Sequence, residues 1–190
     1  MVDREKQPGT SGIWTFVFID MVIFLFLFLV YVTERHRLPA TFVESQHTLN
    51  PTIGLVSTLA LLTSSWLMAE AVHAARRGAQ RQVAMALNGA LIFGVLFAVN
   101  KVIEYSGKFD AGINPVTNGF YTFYFLITGL HFIHVLGGMV FIMHCRSRVG
   151  HEMGQRTYLK KLENVGLFWH FVDILWLFIF PMLYLSEVVG

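Results

Sequence analysis

The stretch GFYTFYFLITGLHFIHVLGGMVFIM, Gly119–Met143, runs for 25 residues without an Asp, Glu, Lys or Arg. Wound as a helix it is long enough to cross the roughly 30 Å hydrocarbon core of a bilayer. Four further stretches read the same way: Ile13–Thr33, Pro51–Ala74, Ala84–Tyr105 and Val165–Leu185. Together the five cover about 60% of the chain. Backbone polar groups in lipid must be satisfied within the segment or a closed barrel, so runs of this length and composition are helices. The connections are short, which predicts an antiparallel bundle. The expectation is an all-α membrane protein with five transmembrane helices, forming a single domain over residues 1–190.

Composition agrees. Of 190 residues, 55% are apolar and only 14% charged, and there are 18 Phe, where a soluble domain carries about 25% charged residues. Mean hydropathy is +0.57. A disordered chain, a nucleic-acid binder and a water-soluble enzyme fit poorly. One cysteine, Cys145, excludes an internal disulfide and any multi-cysteine metal site. The first apolar run follows a short mixed-charge head (Asp3, Arg4, Glu5, Lys6) and shows no small-residue cleavage site, so it reads as a span and not as a signal peptide.

Basic residues set the orientation. Arg76, Arg77 and Arg81 lie in the second loop, and Arg146, Arg148, Arg156, Lys160 and Lys161 in the fourth. The opposite side has Arg35, Arg37 and Lys108. With Arg4 and Lys6 the count is ten against three, which predicts a cytoplasmic N-terminus and a C-terminus outside. The fourth loop also reads as a polybasic lipid site, but setting topology is the simpler account.

Ionisable side chains inside spans need a partner or a purpose. They are Asp20, Glu70, Lys101, Glu104, His131, His134, His170 and Asp173. Helical rise puts Asp20, Glu70, His170 and Asp173 within roughly 7–14 Å of the cytoplasmic boundary and His134 about 15 Å from it. Lys101 and Glu104 fall near the outer end, where they are expected to pair. Tyr124, Thr128, His131, His134 and Gly138 form one polar and small stripe in span four. Ser57, Ala60, Ser64 and Ala71 form a small-residue stripe in span two, of the kind that lets helices approach closely. Sequential neighbours suggest a His134–Asp173 or His131–His170 contact.

The histidines admit haem ligation, proton handling or plain interhelical hydrogen bonding. Bis-histidine haem needs two imidazoles at matched depth on facing helices, and His131 is central while His170 is near the inner side. No HxxEH-type zinc arrangement is present. Asp20 reads as an ion site with Glu70 and Asp173, or as a structural carboxyl bonded to another helix; no span is broken by paired Gly or Pro as transport sites often are. A proton-coupled transporter would show pH-dependent flux without partners, and a b-type cytochrome anchor would show a Soret band in the isolated chain.

Read in order, the motifs resemble subunit III of the haem–copper oxidases in its five-span bacterial form. Trp14–Asp20 is similar to that family's Trp-x-Phe-x-x-x-Glu segment, with Asp for Glu. Leu61-Leu-Thr-Ser64-Ser65, Glu104-Tyr105 and Thr128-Gly129-Leu-His131-Phe-Ile-His134-Val135 follow at the family's spacing. Trp169-His170-Phe-Val-Asp173-Ile-Leu-Trp176 is nearly letter for letter. The Gly12-Ile-Trp14 opening with Asp20 is also similar to the small subunit-III-like proteins that accompany nitric oxide reductases.

The resemblance implies a non-catalytic accessory subunit of a respiratory complex in the bacterial inner membrane. It would bind beside the haem–copper catalytic subunit, with haem and copper in that partner and none in this chain. It would hold phospholipid and support proton uptake. On that transfer Asp20 is a buried carboxylate near the partner interface. Glu104, His131, His134, Trp169, His170 and Asp173 are lipid or interhelical polar contacts. An Asp in place of the family Glu leaves two parent complexes open, oxygen-reducing and NO-reducing.

Overall fold

The computed structural model describes residues 9–185. Arg4 and Lys6, which entered the orientation count, lie outside the described residues, as do Asp3 and Glu5. The described chain is helical: α1 (Ser11–Arg37), α2 (Pro39–Gln46), α3 (Pro51–Arg76), α4 (Gln80–Asp110), α5 (Gly119–Glu152) and α6 (Arg156–Phe180), closed by a π-helical turn at Pro181–Leu185. Five of the helices are long and apolar enough to cross a membrane.

The five expected spans lie within α1, α3, α4, α5 and α6. Several helices outrun the apolar stretch that marked them. α5 continues from Met143 to Glu152, and α6 begins at Arg156, ahead of the expected Val165. At 34 residues α5 is about 51 Å long, well beyond the hydrocarbon. Hydropathy marks bilayer depth, while a helix ends where capping or a turn residue ends it. Asn50 caps α3 by accepting from the Thr52 N–H at 2.9 Å, with Pro51 as the first helical residue. Asn118 caps α5 by accepting from the Tyr121 N–H at 3.0 Å. Gly78, at φ +74°, makes the tight reversal between α3 and α4.

α3, α4, α5 and α6 pack in a ring, α3 against α4, α4 against α5, α5 against α6 and α6 against α3. The small-residue stripe is buried as expected: Ser57, Ala60, Ser64 and Ala71 are each at most 3% exposed. α1 leans on α5 and α6 and stands outside the ring. Only 11% of its most apolar stretch is buried, against 56% for the last span. The unanticipated α2 is short and weakly apolar, so hydropathy passes over it. It packs on α5, and Gln46 at its end donates to the Met182 and Leu183 carbonyls at 3.3 and 2.9 Å.

Those carbonyls belong to the π turn. Pro181 brings no N–H to the helical ladder, and the wider winding that follows leaves carbonyls for outside donors. Tyr31 of α1 also donates to the Met182 oxygen, at 3.3 Å. The two bundle ends differ in charge. One, here the basic end, joins α3 to α4 and α5 to α6, with Arg76 bonded to Glu163 at 2.9 Å and Arg146 to Asn88 at 2.8 Å. The Thr10 N–H is tied to Asn164 there at 2.9 Å.

Candidate functional site

Three polar clusters occupy the bundle. The first fastens α1. Asp20 is 6% exposed although the helix around it is mostly bare. Its Oδ1 lies 3.3 Å from His134 Nε2. His134 Nδ1 sits 2.8 Å from the Leu130 carbonyl, so Nδ1 carries a hydrogen. The Nε2–Oδ1 contact joins α5 to α1. Phe16, Phe24 and Phe168 surround the imidazole with centroids 6.0–6.4 Å away. Asp20 Oδ2 is buried with no hydrogen-bond partner among the described residues.

The second cluster joins α3, α4 and α6. The Trp169 indole N–H donates to Ser64 Oγ at 3.1 Å, and Ser64 donates onward to the Ala90 carbonyl at 2.7 Å. One hydroxyl thereby links three helices. Trp176 donates to Thr58 Oγ1 at 2.9 Å. His170 Nδ1 lies 2.6 Å from Ser65 Oγ. Asp173 Oδ1 is buried and unpartnered among the described residues. Trp169 lies flat enough on α5 that a Cβ on Gly138 would come within 2.6 Å of its ring.

The third cluster lies in the half remote from the basic end. Lys101 is 1% exposed. Its Nζ donates to Glu104 at 2.9 Å and to the Tyr184 hydroxyl at 2.8 Å, and that hydroxyl donates to Glu104 Oε1 at 2.5 Å. The closed triangle satisfies a charge pair taken out of water. Nζ also stands 4.8 Å from the Trp176 ring centroid, a cation–π distance. Thr128 spends its hydrogen on the Tyr124 carbonyl at 2.5 Å, so Tyr105 is the donor in the 2.7 Å Tyr105–Thr128 contact.

The Lys101–Glu104 pairing expected from sequence is present. The His134–Asp173 and His131–His170 contacts are not. His134 goes to α1, His131 Nε2 meets the Val172 carbonyl at 3.0 Å, and His170 faces α3. Glu70 does not join an ion cluster with Asp20 and Asp173; it pairs with Arg77 at 2.8 Å on the surface. The reason is packing order, since α1 docks on α5 and α6 and not beside α3. Tyr184 was missed because it reaches Lys101 through the π turn, and Thr58 because its partner on another helix is an indole far along the chain. Among the described residues no three His, Cys, Asp or Glu side chains converge on one point. The imidazoles of His131, His134 and His170 turn to a carbonyl, a carboxyl and a hydroxyl on different helices, an arrangement that does not fit bis-histidine haem.

Outside these clusters, a groove of about 510 Å³ opens between α1, α5 and α6 at the basic end. Ile13, Phe16, Phe141, Val165 and Phe168 give it apolar walls, and His144, Lys161 and Asn164 its polar edge.

The family profile for cytochrome c oxidase subunit III matches residues 7–188. The chain belongs to this family. A probable quinol oxidase subunit 3 from Staphylococcus epidermidis is 27% identical over 192 residues, covering 98% of this chain and 92% of the relative. A Staphylococcus aureus protein of the same name is 26% identical over 186 residues with the same coverage. Both are named as oxidase subunits, and both match the present subunit III chain almost from end to end.

Proposed function

We propose that this chain is the non-catalytic accessory subunit III of a respiratory haem–copper oxidase in a bacterial inner membrane. In this role it stabilises the catalytic subunit, holds phospholipid and supports proton uptake during oxygen reduction. Haem and copper reside in the partner. The observation that carries the reading is the match to subunit III over residues 7–188. Supporting it, the interior polar groups are engaged mainly with neighbouring helices, which suits a scaffold more than a carrier. Quinol is the electron donor to test first, from the names of the relatives.

The membrane-exposed face of α1 is the surface we assign to the partner, with Asp20 and His134 holding that helix in place. The apolar groove edged by His144 and Lys161 suits an acyl chain with its headgroup at the basic end. The basic end faces the cytoplasm on this reading. Glu104, His131, Trp169, His170 and Asp173 act as interhelical contacts. Replacing His170 or Asp173 with Ala then reduces recovery of the assembled complex while haem per catalytic subunit is unchanged; selective loss of haem contradicts it.

One observation favours a second reading. Asp20 takes the place of the family glutamate, as in the small proteins that accompany nitric oxide reductases. The acceptor reduced by the co-purified complex, oxygen or nitric oxide, decides between them.

A further inference from the structure

Half of the described Arg and Lys residues at the basic end meet a carboxylate. Arg76 meets Glu163 at 2.9 Å, Arg77 meets Glu70 at 2.8 Å, and Arg148 and Lys161 meet Glu152 at 3.0 and 3.2 Å. Arg81 and Arg146 have no carboxylate partner among the described residues, yet both line one groove of about 380 Å³ between the start of α4 and the end of α5. Gln80 and the small residues Ala84 and Gly150 complete much of its lining.

Arg146 is held in place. Its Nε donates to Asn88 Oδ1 at 2.8 Å, and no described group accepts from its two terminal nitrogens. It stands three residues past Met143, where the uncharged run of α5 ends and a helix leaves hydrocarbon. Two guanidinium groups without counter-charge on one groove, at headgroup level, form a recognition surface for phosphate oxygens. Topology alone asks only for charge on this side of the membrane. It does not ask that two arginines without a carboxylate partner share one groove.

We propose that the Arg81–Arg146 groove binds a phosphate group, presented by an anionic phospholipid headgroup or as free phosphate. The proposal rests on the lipid-holding part of the functional reading and places one such site at α4 and α5, away from the apolar groove at α1.

The test uses the complex carrying the full-length chain, stripped of lipid in mild detergent and re-exposed to phosphatidylglycerol, phosphatidylcholine or inorganic phosphate. Retained ligand is measured by mass spectrometry. The variant R81Q/R146Q is set against R156Q/K160Q, which removes the same charge from this end outside the groove. We expect phosphatidylglycerol retention to fall about 30-fold in R81Q/R146Q, from two cations near an anionic surface, and to persist in R156Q/K160Q. Displacement by inorganic phosphate, with the same dependence on Arg81 and Arg146, also supports the site and names free phosphate as its source. Equal loss in both variants, or loss in neither, overturns the proposal. Co-purification of the catalytic subunit is read on the same samples, so failure of the site and failure of the accessory role are separable.

Discussion

Gly138 of α5 lies against the indole of Trp169 on α6, and a Cβ placed there would come within 2.6 Å of ring carbon Cε3. Its neighbour Gly137 has nothing within 4 Å of the same position. The pair makes an internal control. Gly138→Ala should destabilise the detergent-solubilised chain by about 1–3 kcal/mol through overpacking, read as a lowered unfolding midpoint. Gly137→Ala should leave it unchanged. Equal effects would mean the indole is not seated on α5.

Asp20 and His134 give a prediction that depends on where the hydrogens are. With Nδ1–H committed to the Leu130 carbonyl, neutral His134 offers an acceptor at Nε2. The amide of Asp20→Asn can donate to it, so that variant should keep α1 docked. Asp20→Ala leaves the imidazole unpaired and should loosen α1 by about 1–2 kcal/mol. Hydrogen exchange of α1 amides separates the two; identical exchange in both would show that the contact does not hold the helix.

The Lys101–Glu104–Tyr184 triangle is a buried charge pair, for which losing one partner is worse than losing both. Glu104→Gln should destabilise by about 3–5 kcal/mol. Adding Lys101→Met to it should recover much of that loss. A double variant weaker than the single, in thermal unfolding monitored by circular dichroism, would count against a charged pair at this site.

Ser64 receives the Trp169 indole and passes its own hydrogen to α4. A cycle of Ser64→Ala and Trp169→Phe should give a coupling of about 0.6–1.7 kcal/mol, the range of hydrogen bonds between membrane helices. Coupling near zero would mean the two side chains act independently.

The spans were legible because an apolar run long enough for a bilayer has few alternatives. The Lys101–Glu104 pair was legible because three residues on one helix place both on one face. Contacts between helices were not. A stripe gives the direction in which His134 or His170 points along its own helix, but which helix stands opposite depends on packing order. Here α1 docks on α5 and α6, and its Asp20 meets His134 of α5. α2 and the π turn were hidden for another reason. Both are short, and their roles rest on carbonyls freed after Pro181 rather than on any side-chain pattern. The family motifs carried identity where geometry could not, because they span the chain in order.

That this chain works as a subunit of a larger complex is what most needs testing. Its most direct test is affinity purification of the tagged chain from native membranes in mild detergent, with the co-purifying proteins identified and their absorption spectrum recorded. The expected result is a large polytopic haem–copper subunit in stoichiometric amount, carrying all the haem of the preparation. A chain that purifies alone, or that carries haem itself, would contradict it.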